Sequence, residues 1–256
     1  MSANKLTNGI LLKAANKTPV FFFDFDGTLS DLAATSEQAK FKPIAKHVIE
    51  ELSEKFHVGI VSGRKLDELR RLVGIKGIFY SGNHGVEIEG PKLKFIEPES
   101  AKSSAYIISL ARKIEKRLGS YRPGINPKKY SVSVHYRTVD PQKVKELLSE
   151  LDDIISAPFR EGKIDVFHGK KVVEIKAPVN WNKGDAIDMI MRKVSKKGTP
   201  IFFGDDTTDE FGFRKVNALG GISIFVGSNN RKTSAKYRIG SPVELIGELA
   251  EFLFKL

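Results

Sequence analysis

The stretch "VFFFDFDGTLS" at residues 20–30 joins an unbroken apolar run to two closely spaced carboxylates. Four consecutive apolar residues are typical of a strand that is buried on both faces of a parallel sheet. The run ends at Asp24 and Asp26, and Gly27 follows, so two negative charges stand where water is scarce. Because isolated buried carboxylates are costly, we expect a cation at this strand end.

The composition is that of an ordinary globular protein with material for a large core. The chain has 256 residues, of which 41% are hydrophobic and 29% charged. It has no cysteine, which excludes disulfides, thiolate zinc sites and a cysteine nucleophile. Within residues 1–18 the apolar run 9–12 is too short for a signal-peptide core or a membrane span. We therefore expect a flexible N-terminal lead-in, a cytoplasmic monomer and no membrane partner.

The net charge of +11 raises the question of nucleic-acid binding. The basic residues cluster modestly at 112–117, 192–197 and 231–238, and each cluster belongs to a different predicted element. No stripe of aromatic and basic residues of the kind that stacks single strands accompanies them. We therefore expect no nucleic-acid partner, and the charge favours the steering of an anionic substrate.

Short apolar strands alternate with helical patterns at both ends of the chain. The strand candidates are residues 20–24, 57–61, 77–80, 200–203 and 222–226. The helical patterns are residues 43–56, 64–73, 184–194 and 242–254. Buried strands that alternate with helices predict βαβ units and a mostly parallel sheet, which is an α/β fold.

The middle of the chain has a different pattern. Residues 86–97 and 163–176 predict hairpins, the second turning at His168-Gly169, and residues 129–137 alternate like a strand with one exposed face. Helical stretches at about 100–118 and 141–155 separate these strands. We therefore predict a smaller α+β domain at 87–176, inserted into an α/β core made of 19–86 and 177–256.

Chemistry-bearing residues follow several predicted core strands. Ser62 and Arg64 come after the strand 57–61, Lys183 starts a helix, and Asp205, Asp206 and Asp209 come after the strand 200–203. Ligands of open parallel sheets bind outside the carboxyl ends of the strands. Carboxylates there can hold Mg²⁺, while a lysine, a hydroxyl and helix N-termini suit a phosphate dianion. One aspartate oxygen is then available as a nucleophile.

These segments resemble, in order, the four motifs of the haloacid-dehalogenase superfamily of phosphohydrolases. The motif residues are Asp24-Phe25-Asp26-Gly27-Thr28, Ser62, Lys183 and Gly204-Asp205-Asp206-Thr207-Thr208-Asp209. A narrower similarity is to the trehalose-6-phosphate phosphatase family. It is carried by "SGR" (62–64), "GNHGVE" (82–87), "SVHYR" (133–137), "GKKVVEIKAP" (169–178), "NKG" (182–184) and "GDDTTDE" (204–210). The resemblance covers roughly residues 20–227, and it implies a Rossmann-like core with the insert 87–176 as a type C2 cap.

The resemblance also implies roles at the core site. Asp24 would attack phosphorus to form an aspartyl-phosphate, and Asp26 would protonate the departing sugar oxygen and later activate water. Mg²⁺ would be held by the Asp24 carboxylate, the Asp26 backbone carbonyl and Asp205. Thr28, Ser62 and Lys183 would bind the phosphoryl oxygens, with Lys183 stabilising the transition state. Asp206 and Asp209 would act indirectly or through water, and the sequence leaves open which of the three late aspartates bind the metal directly.

For the substrate, the resemblance points to a small sugar phosphate. His84, Lys170 and Glu174 would contact the sugar, and Arg64 would add a phosphate or sugar contact. After the last motif the family tends to continue with an acidic residue, whereas this chain has Phe211-Gly212-Phe213.

Three alternatives stay open at this point. A related C2-capped phosphatase would act on sucrose 6-phosphate or a mannosyl phosphoglycerate with the same core chemistry. A phosphosugar mutase would form the same aspartyl-phosphate but shelter it from water. A basic nucleic-acid-binding module would carry these aspartates as structural residues, and its binding would weaken steeply with salt.

Overall fold

In the computed structural model, the apolar run before Asp24 forms the centre of an eight-stranded sheet. The structure describes residues 6–31, 41–169, 171–194 and 198–256. The chain divides into one unit of Met1–Phe95 with Trp181–Leu256 and a second unit of Ile96–Asn180. No helix within the described ranges combines the length and the apolar composition that a bilayer span requires.

The strands and helices are numbered in chain order. The strands are β1 Pro19–Phe23, β2 His57–Val61, β3 Phe79–Gly82, β4 Glu87–Gly90, β5 Leu93–Ile96, β6 Gly124–Pro127, β7 Ser131–His135, β8 Asp165–Gly169, β9 Val172–Lys176, β10 Thr199–Gly204, β11 Ile222–Val226 and β12 Tyr237–Ile239. The α-helices are α1 Leu12–Ala15, α2 Pro43–Lys55, α3 Leu66–Val73, α4 Pro98–Leu118, α5 Val144–Arg160, α6 Lys183–Val194, α7 Asp209–Ala218 and α8 Pro242–Phe254. A π-helical segment Leu6–Leu11 leads into α1, and 3-10 turns lie at Asn83–Gly85 and Gly119–Tyr121.

The large sheet confirms the predicted α/β fold. Its strand order is β12-β11-β10-β1-β2-β3-β4-β5, and the pairs from β12 to β3 are parallel. In this register Phe23, the last residue of β1, lies beside Phe203 on one side and Ile60 on the other. The carboxyl ends of β10, β1 and β2 therefore meet at one edge of the sheet.

The strand β1 is apolar throughout because helices cover both faces of the sheet. Phe21 and Phe23 belong to a core cluster that includes buried residues of α2 and α8. Phe22 points to the opposite face and belongs to a second cluster with buried residues of α6 and α7. Alternate residues of a strand face opposite sides, so a strand between two helical layers has no polar position. The helix α2 begins at Pro43 as predicted. Its second residue, Ile44, is 62% exposed, and the next residue, Ala45, is buried.

The second unit is an α+β structure of the predicted kind. Its four strands form an antiparallel sheet in the order β6-β7-β9-β8. The helices α4 and α5 share one hydrophobic core with the sheet. Core members from the sheet include Val132, Val134, Val173 and Ile175. These positions alternate with Ser133 and Glu174 on the opposite face, and such alternation is what the sequence pattern predicted.

The boundaries of the second unit differ from the prediction of 87–176. The hairpin strands β4 and β5 extend the large sheet, because β4 pairs with β3 in antiparallel register, with Ser81 opposite Ile88. The unit therefore runs from Ile96 to Asn180. The turn of the later hairpin also moves, because Gly169 pairs with Val172 and the turn follows Gly169 instead of lying at His168-Gly169.

Part of the predicted lead-in over residues 1–18 has regular structure, namely residues 6–15. This part is helical, and it contacts α8 of the large unit. Leu11 is 1% exposed and Ala14 is 3% exposed, and both belong to the main core cluster. An apolar run too short to span a membrane is thus long enough to bury one helical turn.

Candidate active site

The predicted catalytic residues of the core follow strand ends that meet at the carboxyl edge of the large sheet. Asp24 continues from β1, and its N–H donates a 2.8 Å hydrogen bond to the carbonyl of Phe203 in β10. Ser62 continues from β2, and its N–H donates 2.9 Å to the carbonyl of Ser81 in β3. The ladder of hydrogen bonds thus extends one residue past the strands and fixes where the site residues leave the sheet.

A buried lysine joins two buried carboxylates at this edge. The Nζ of Lys183 donates 2.7 Å to Oδ1 of Asp24 and 2.7 Å to Oδ1 of Asp209. The three residues are 3%, 4% and 0% exposed, in that order. Burial by itself would lower the pKa of Lys183, but the charges and hydrogen bonds of Asp209 and Asp24 outweigh it and raise the pKa. The lysine therefore stays charged and partly neutralises the pair.

Local capping holds Lys183 at the first position of α6. The side-chain oxygen of Asn182 accepts a 2.9 Å hydrogen bond from the N–H of Gly184. The carboxylate of Asp185 accepts 3.1 Å from the N–H of Asn182 in return. This reciprocal arrangement satisfies N–H groups that the helix itself cannot bond, so it defines where the helix and its lysine begin.

Asp209 also organises the loop after β10. Its Oδ2 accepts hydrogen bonds of 2.9 Å from the N–H groups of both Asp205 and Asp206. A Cβ on Gly204 would lie 2.5 Å from the Asp209 carboxyl carbon, so this position requires glycine. Both oxygens of Asp209 are thereby engaged, one with Lys183 and one with the loop backbone.

An acidic cluster that could hold a cation lies at this carboxyl edge of the large sheet. Asp24, Asp205 and Asp209 each offer a carboxylate oxygen, and these oxygens lie within 4.8 Å of one another. Burial raises the pKa of Asp24 well above its usual value and that of Asp205 to about 7; Asp209 adds to both shifts and Lys183 opposes them. The ammonium of Lys183 therefore does not balance the negative charge of the three carboxylates. The donor set is oxygen only, which fits a hard divalent cation.

Thr28 and Gly27 bring the first motif against Asp205. The Thr28 hydroxyl donates 3.2 Å to Oδ1 of Asp205, and Thr28 is fully buried. Gly27 has φ of 83°, and a Cβ there would lie 2.2 Å from Oδ2 of Asp205. The glycine of the motif is therefore required both for the backbone turn and for the close approach of the carboxylate.

Arg64 binds the second carboxylate of the first motif, a pairing that the sequence did not predict. Its Nε donates 2.7 Å to Oδ2 of Asp26, and its Nη2 donates 2.6 Å to Oδ1. Nη1 donates to Oε1 of Glu68 one helical turn further on. The carboxylate of Asp26 thus stands apart from the acidic cluster, and its predicted metal contact through the backbone carbonyl stays a prediction. So does the predicted contact of Arg64 with substrate.

Ser62, Arg64 and His84 lie together. The Ser62 hydroxyl accepts 3.2 Å from the N–H of Arg64, and the Ser62 carbonyl accepts 3.0 Å from the N–H of His84. His84 has φ of 58°, in the left-handed region. A Cβ on Gly63 would lie 2.4 Å from Cε1 of His84, so the imidazole occupies space that only glycine leaves.

Sequence reasoning missed Trp181, the single tryptophan of the chain. Its Nε1 donates 2.8 Å to the carbonyl of Gly85, and its ring centroid lies 5.1 Å from that of Phe95. Gly85 has φ of 108°, and a Cβ there would lie 2.6 Å from the carbonyl oxygen of Asn182. The loop that carries His84 therefore packs against the segment that carries Lys183. The uniqueness of Trp181 and its place two residues before Lys183 were the available signals.

The remaining predicted residues are Asp206, Glu174 and Lys170. Asp206 is exposed, and its Oδ1 accepts 2.6 Å from the N–H of Thr207 and lies 3.6 Å from Arg231. Glu174 lies in the second unit, half-buried, in register with Ser133 and Phe167. Lys170 lies outside the described residues.

Of the segment Phe211-Gly212-Phe213, where the chain lacks the family's acidic residue, the last two residues pack into the core and Phe211 is 48% exposed. Phe213 is fully buried, and its ring centroid lies 5.3 Å from that of Phe202. A Cβ on Gly212 would lie 2.4 Å from the Phe202 ring.

Comparison with known proteins identifies the family of this fold and site. The family model described as trehalose-phosphatase matches residues 22–242. Trehalose 6-phosphate phosphatase RA3 of Zea mays is 29% identical over 270 residues, covering 96% of this chain and 72% of that protein. Trehalose-phosphate phosphatase of Mycobacterium leprae is 31% identical over 263 residues, covering 96% and 60%. The solved C-terminal domain of C. albicans trehalose-6-phosphate phosphatase has the same fold, with a TM-score of 0.76 at 21% identity, covering 100% of this chain and 98% of that one.

The match spans both units and contains the motifs that build the acidic cluster and its lysine. The chain therefore belongs to the trehalose-phosphatase family of phosphoric monoester hydrolases.

Proposed function

We propose that this chain hydrolyses trehalose 6-phosphate to trehalose and phosphate through an aspartyl-phosphate on Asp24, with Mg²⁺ as its cofactor. The observation that carries the proposal is the buried contact of Lys183 with Asp24 and Asp209 beside Asp205. The family membership supports the choice of substrate, because the similar proteins from Zea mays and Mycobacterium leprae are named trehalose-phosphate phosphatases.

Asp24 is the residue best suited to attack phosphorus. Its carboxylate stands at the carboxyl end of β1, and one oxygen already accepts a hydrogen bond from Lys183. A bond from an Asp24 oxygen to phosphorus would form as the bond from phosphorus to the sugar oxygen breaks. Splitting hydrolysis into two displacements makes each step easier than direct attack by water.

Lys183 would bind a phosphoryl oxygen and balance charge in the transition state. Its ammonium is buried and held on two carboxylates, so it needs little reorganisation when the phosphate arrives. The Ser62 hydroxyl is buried at the same edge and would donate to a remaining phosphoryl oxygen. The buried Thr28 hydroxyl would donate to another by turning away from Asp205, to which it donates in this structure. Charge stabilisation and positioning supply most of the catalysis in phosphoryl transfer.

Asp26 would move the protons. In the first step it would give a proton to the departing sugar oxygen, because an alkoxide is a poor leaving group. In the second step it would take a proton from the water that attacks the aspartyl-phosphate, releasing phosphate and restoring Asp24. One carboxyl group can serve as acid and then as base because the first step leaves it ionised.

The residues present fit a magnesium site. The carboxylates of Asp24 and Asp205, with the backbone carbonyl of Asp26, would hold the ion. When bound, Mg²⁺ supplies charge neutralisation for the phosphoryl group and the attacking carboxylate. Asp209 would orient the site instead of binding the ion directly, because its oxygens are committed to Lys183 and to two backbone N–H groups.

The second unit would serve as the cap that recognises the sugar. We assign this role to His84 of the large unit and to Lys170 and Glu174 of the second. A disaccharide offers many hydroxyls and no charge, so carboxylate and ammonium groups that read hydroxyl pairs are suitable. Glu174 is half-buried on the polar face of its sheet, which supports a place where a hydroxyl could be bound out of bulk water.

A phosphate-release screen tests the proposal. Purified protein would be assayed with the 6-phosphates of trehalose, sucrose and glucose, with a mannosyl phosphoglycerate, and with and without Mg²⁺. We expect the highest kcat/KM on trehalose 6-phosphate and no turnover after chelation. A preference for sucrose 6-phosphate would overturn the substrate, and isomerised sugar phosphate without free phosphate would indicate a mutase.

A further inference from the structure

We propose that Arg64 is a positioning residue for Asp26, acting on the proton donor of the reaction and not on the substrate. This inference deepens the proposed function and rests on it, because it takes Asp26 as the group that protonates the departing sugar oxygen. It changes the role that the sequence suggested for Arg64, which was a contact with phosphate or sugar.

The geometry of the pair carries the argument. Arg64 approaches Asp26 with two parallel hydrogen bonds, Nε to Oδ2 at 2.7 Å and Nη2 to Oδ1 at 2.6 Å. A planar guanidinium that bonds both oxygens of a carboxylate fixes the rotation of the carboxylate as well as its position. A single point charge, such as a lysine ammonium, would leave that rotation free.

The guanidinium is itself held from other sides. Nη1 donates to Glu68, Cζ lies 5.4 Å from the centre of the Phe25 ring, and the side chain is only 5% exposed. The Arg64 backbone is tied as well, because its N–H donates to Ser62 and its carbonyl accepts 2.7 Å from the N–H of Asn83. Asp26, by contrast, has a side chain that is 39% exposed. A buried partner held by several contacts thus restrains a more exposed one.

The contacts of the Arg64 guanidinium also argue against a role in binding substrate. Three guanidinium donors are committed, two to Asp26 and one to Glu68. To reach these three donors, an incoming phosphate oxygen would have to displace Asp26 or Glu68. Lys183 would attract the phosphate instead, together with the cation that the acidic cluster would hold.

The experiment compares two esters that differ in their need for an acid. The sugar alkoxide of trehalose 6-phosphate must be protonated as it leaves, whereas p-nitrophenolate leaves without a proton. The quantity compared is kcat/KM, because it reports the step in which Asp24 is phosphorylated and not the later hydrolysis. For Arg64→Lys we expect kcat/KM on the sugar ester to fall about 10²-fold, the lower end of the usual effect of a general acid, and to change little on the aryl ester. Asp26→Asn should show the same selectivity for the leaving group.

Two further variants guard against a folding artefact. Glu68→Gln keeps Arg64 and its two hydrogen bonds to Asp26 but weakens the contact at Nη1. It should therefore give a smaller loss in kcat/KM with the same selectivity for the sugar ester. Arg64→Lys added to Asp26→Asn should cost almost nothing more, because the residue that Arg64 positions is already disabled.

The result that overturns the proposal is an equal loss on both esters together with weaker inhibition by inorganic phosphate, which would make Arg64 a phosphate ligand. Additive losses in the double variant would also overturn it. Failure of the proposed function is a separate result, since it would appear as no phosphate release from any ester by the wild type.

Discussion

The Lys183 ammonium donates a 2.7 Å hydrogen bond to Oδ1 of Asp24, a residue 159 positions earlier in the chain. Both side chains are buried, and neither could be left there alone without a large desolvation cost. The second carboxylate on the same ammonium, that of Asp209, ties the loop after β10 to this pair. The catalytic proposal and the stability of this edge of the sheet therefore depend on the same contacts.

The first prediction removes the ammonium. Lys183→Met should abolish turnover and lower the free energy of unfolding by about 3–5 kcal/mol, because it leaves buried carboxylates without their partner. Lys193→Met, at an exposed position of the same helix, should stay within about 0.5 kcal/mol of the wild type. Urea unfolding followed by circular dichroism measures both. Equal midpoints for the two variants would contradict the structural role of Lys183.

The second prediction separates Asp209 from its neighbour. In Asp209→Asn the NH₂ group of the amide replaces one carboxylate oxygen. It must face either the Lys183 ammonium or two backbone N–H groups, and in both cases two hydrogen-bond donors face each other. We expect a loss of about 1–3 kcal/mol in the free energy of unfolding. The exposed Asp206→Asn should lose less than about 0.5 kcal/mol. The same loss in both would show that loop charge, and not these contacts, matters.

The third prediction concerns the loop that packs against the Lys183 segment. Gly85→Ala should destabilise the protein through both its positive φ and a Cβ 2.6 Å from the Asn182 carbonyl oxygen. Gly77→Ala shares the positive φ but meets no atom within 4 Å, so it should show only the backbone cost of about 1–2 kcal/mol. Thermal melts give the difference, and kcat/KM should fall only for Gly85→Ala. Identical melts would indicate that the close approach is unimportant.

The central strands could be predicted from the sequence because a strand that is buried on both faces must be apolar. The strands β1 and β10 lie between two helical layers, so their apolar runs identified them, and the aspartates that end them identified the site. The strands β6 and β12 were missed because they are short, and both lie at sheet edges where no apolar run is needed.

Contacts that depend on tertiary structure could not be predicted in this way. The fork of Arg64 on Asp26 and the two hydrogen bonds from Asp209 to the loop backbone join residues by geometry that no local pattern contains. The hairpin β4–β5 was assigned to the insert because its own alternation does not reveal that β4 pairs with β3.

The fourth prediction tests sugar recognition. Glu174→Ala should lower kcat/KM on trehalose 6-phosphate about ten- to a hundredfold, as expected for one hydrogen bond to a charged group, and should leave p-nitrophenyl phosphate nearly unchanged. Glu161→Ala is the control in the same unit, because Glu161 is exposed and pairs with Lys163. Equal losses on both esters would mean that Glu174 serves the fold and not the sugar.

The most direct test of the central claim is the rate of phosphate release from trehalose 6-phosphate with Mg²⁺, measured for the wild type and for Asp24→Asn. The substitution is nearly isosteric, so circular dichroism should show an unchanged fold. The amide cannot attack phosphorus, so we expect a loss of at least about 10⁴-fold in kcat, as for other disabled nucleophiles. Phosphate release by Asp24→Asn at a substantial fraction of the wild-type rate would contradict the account.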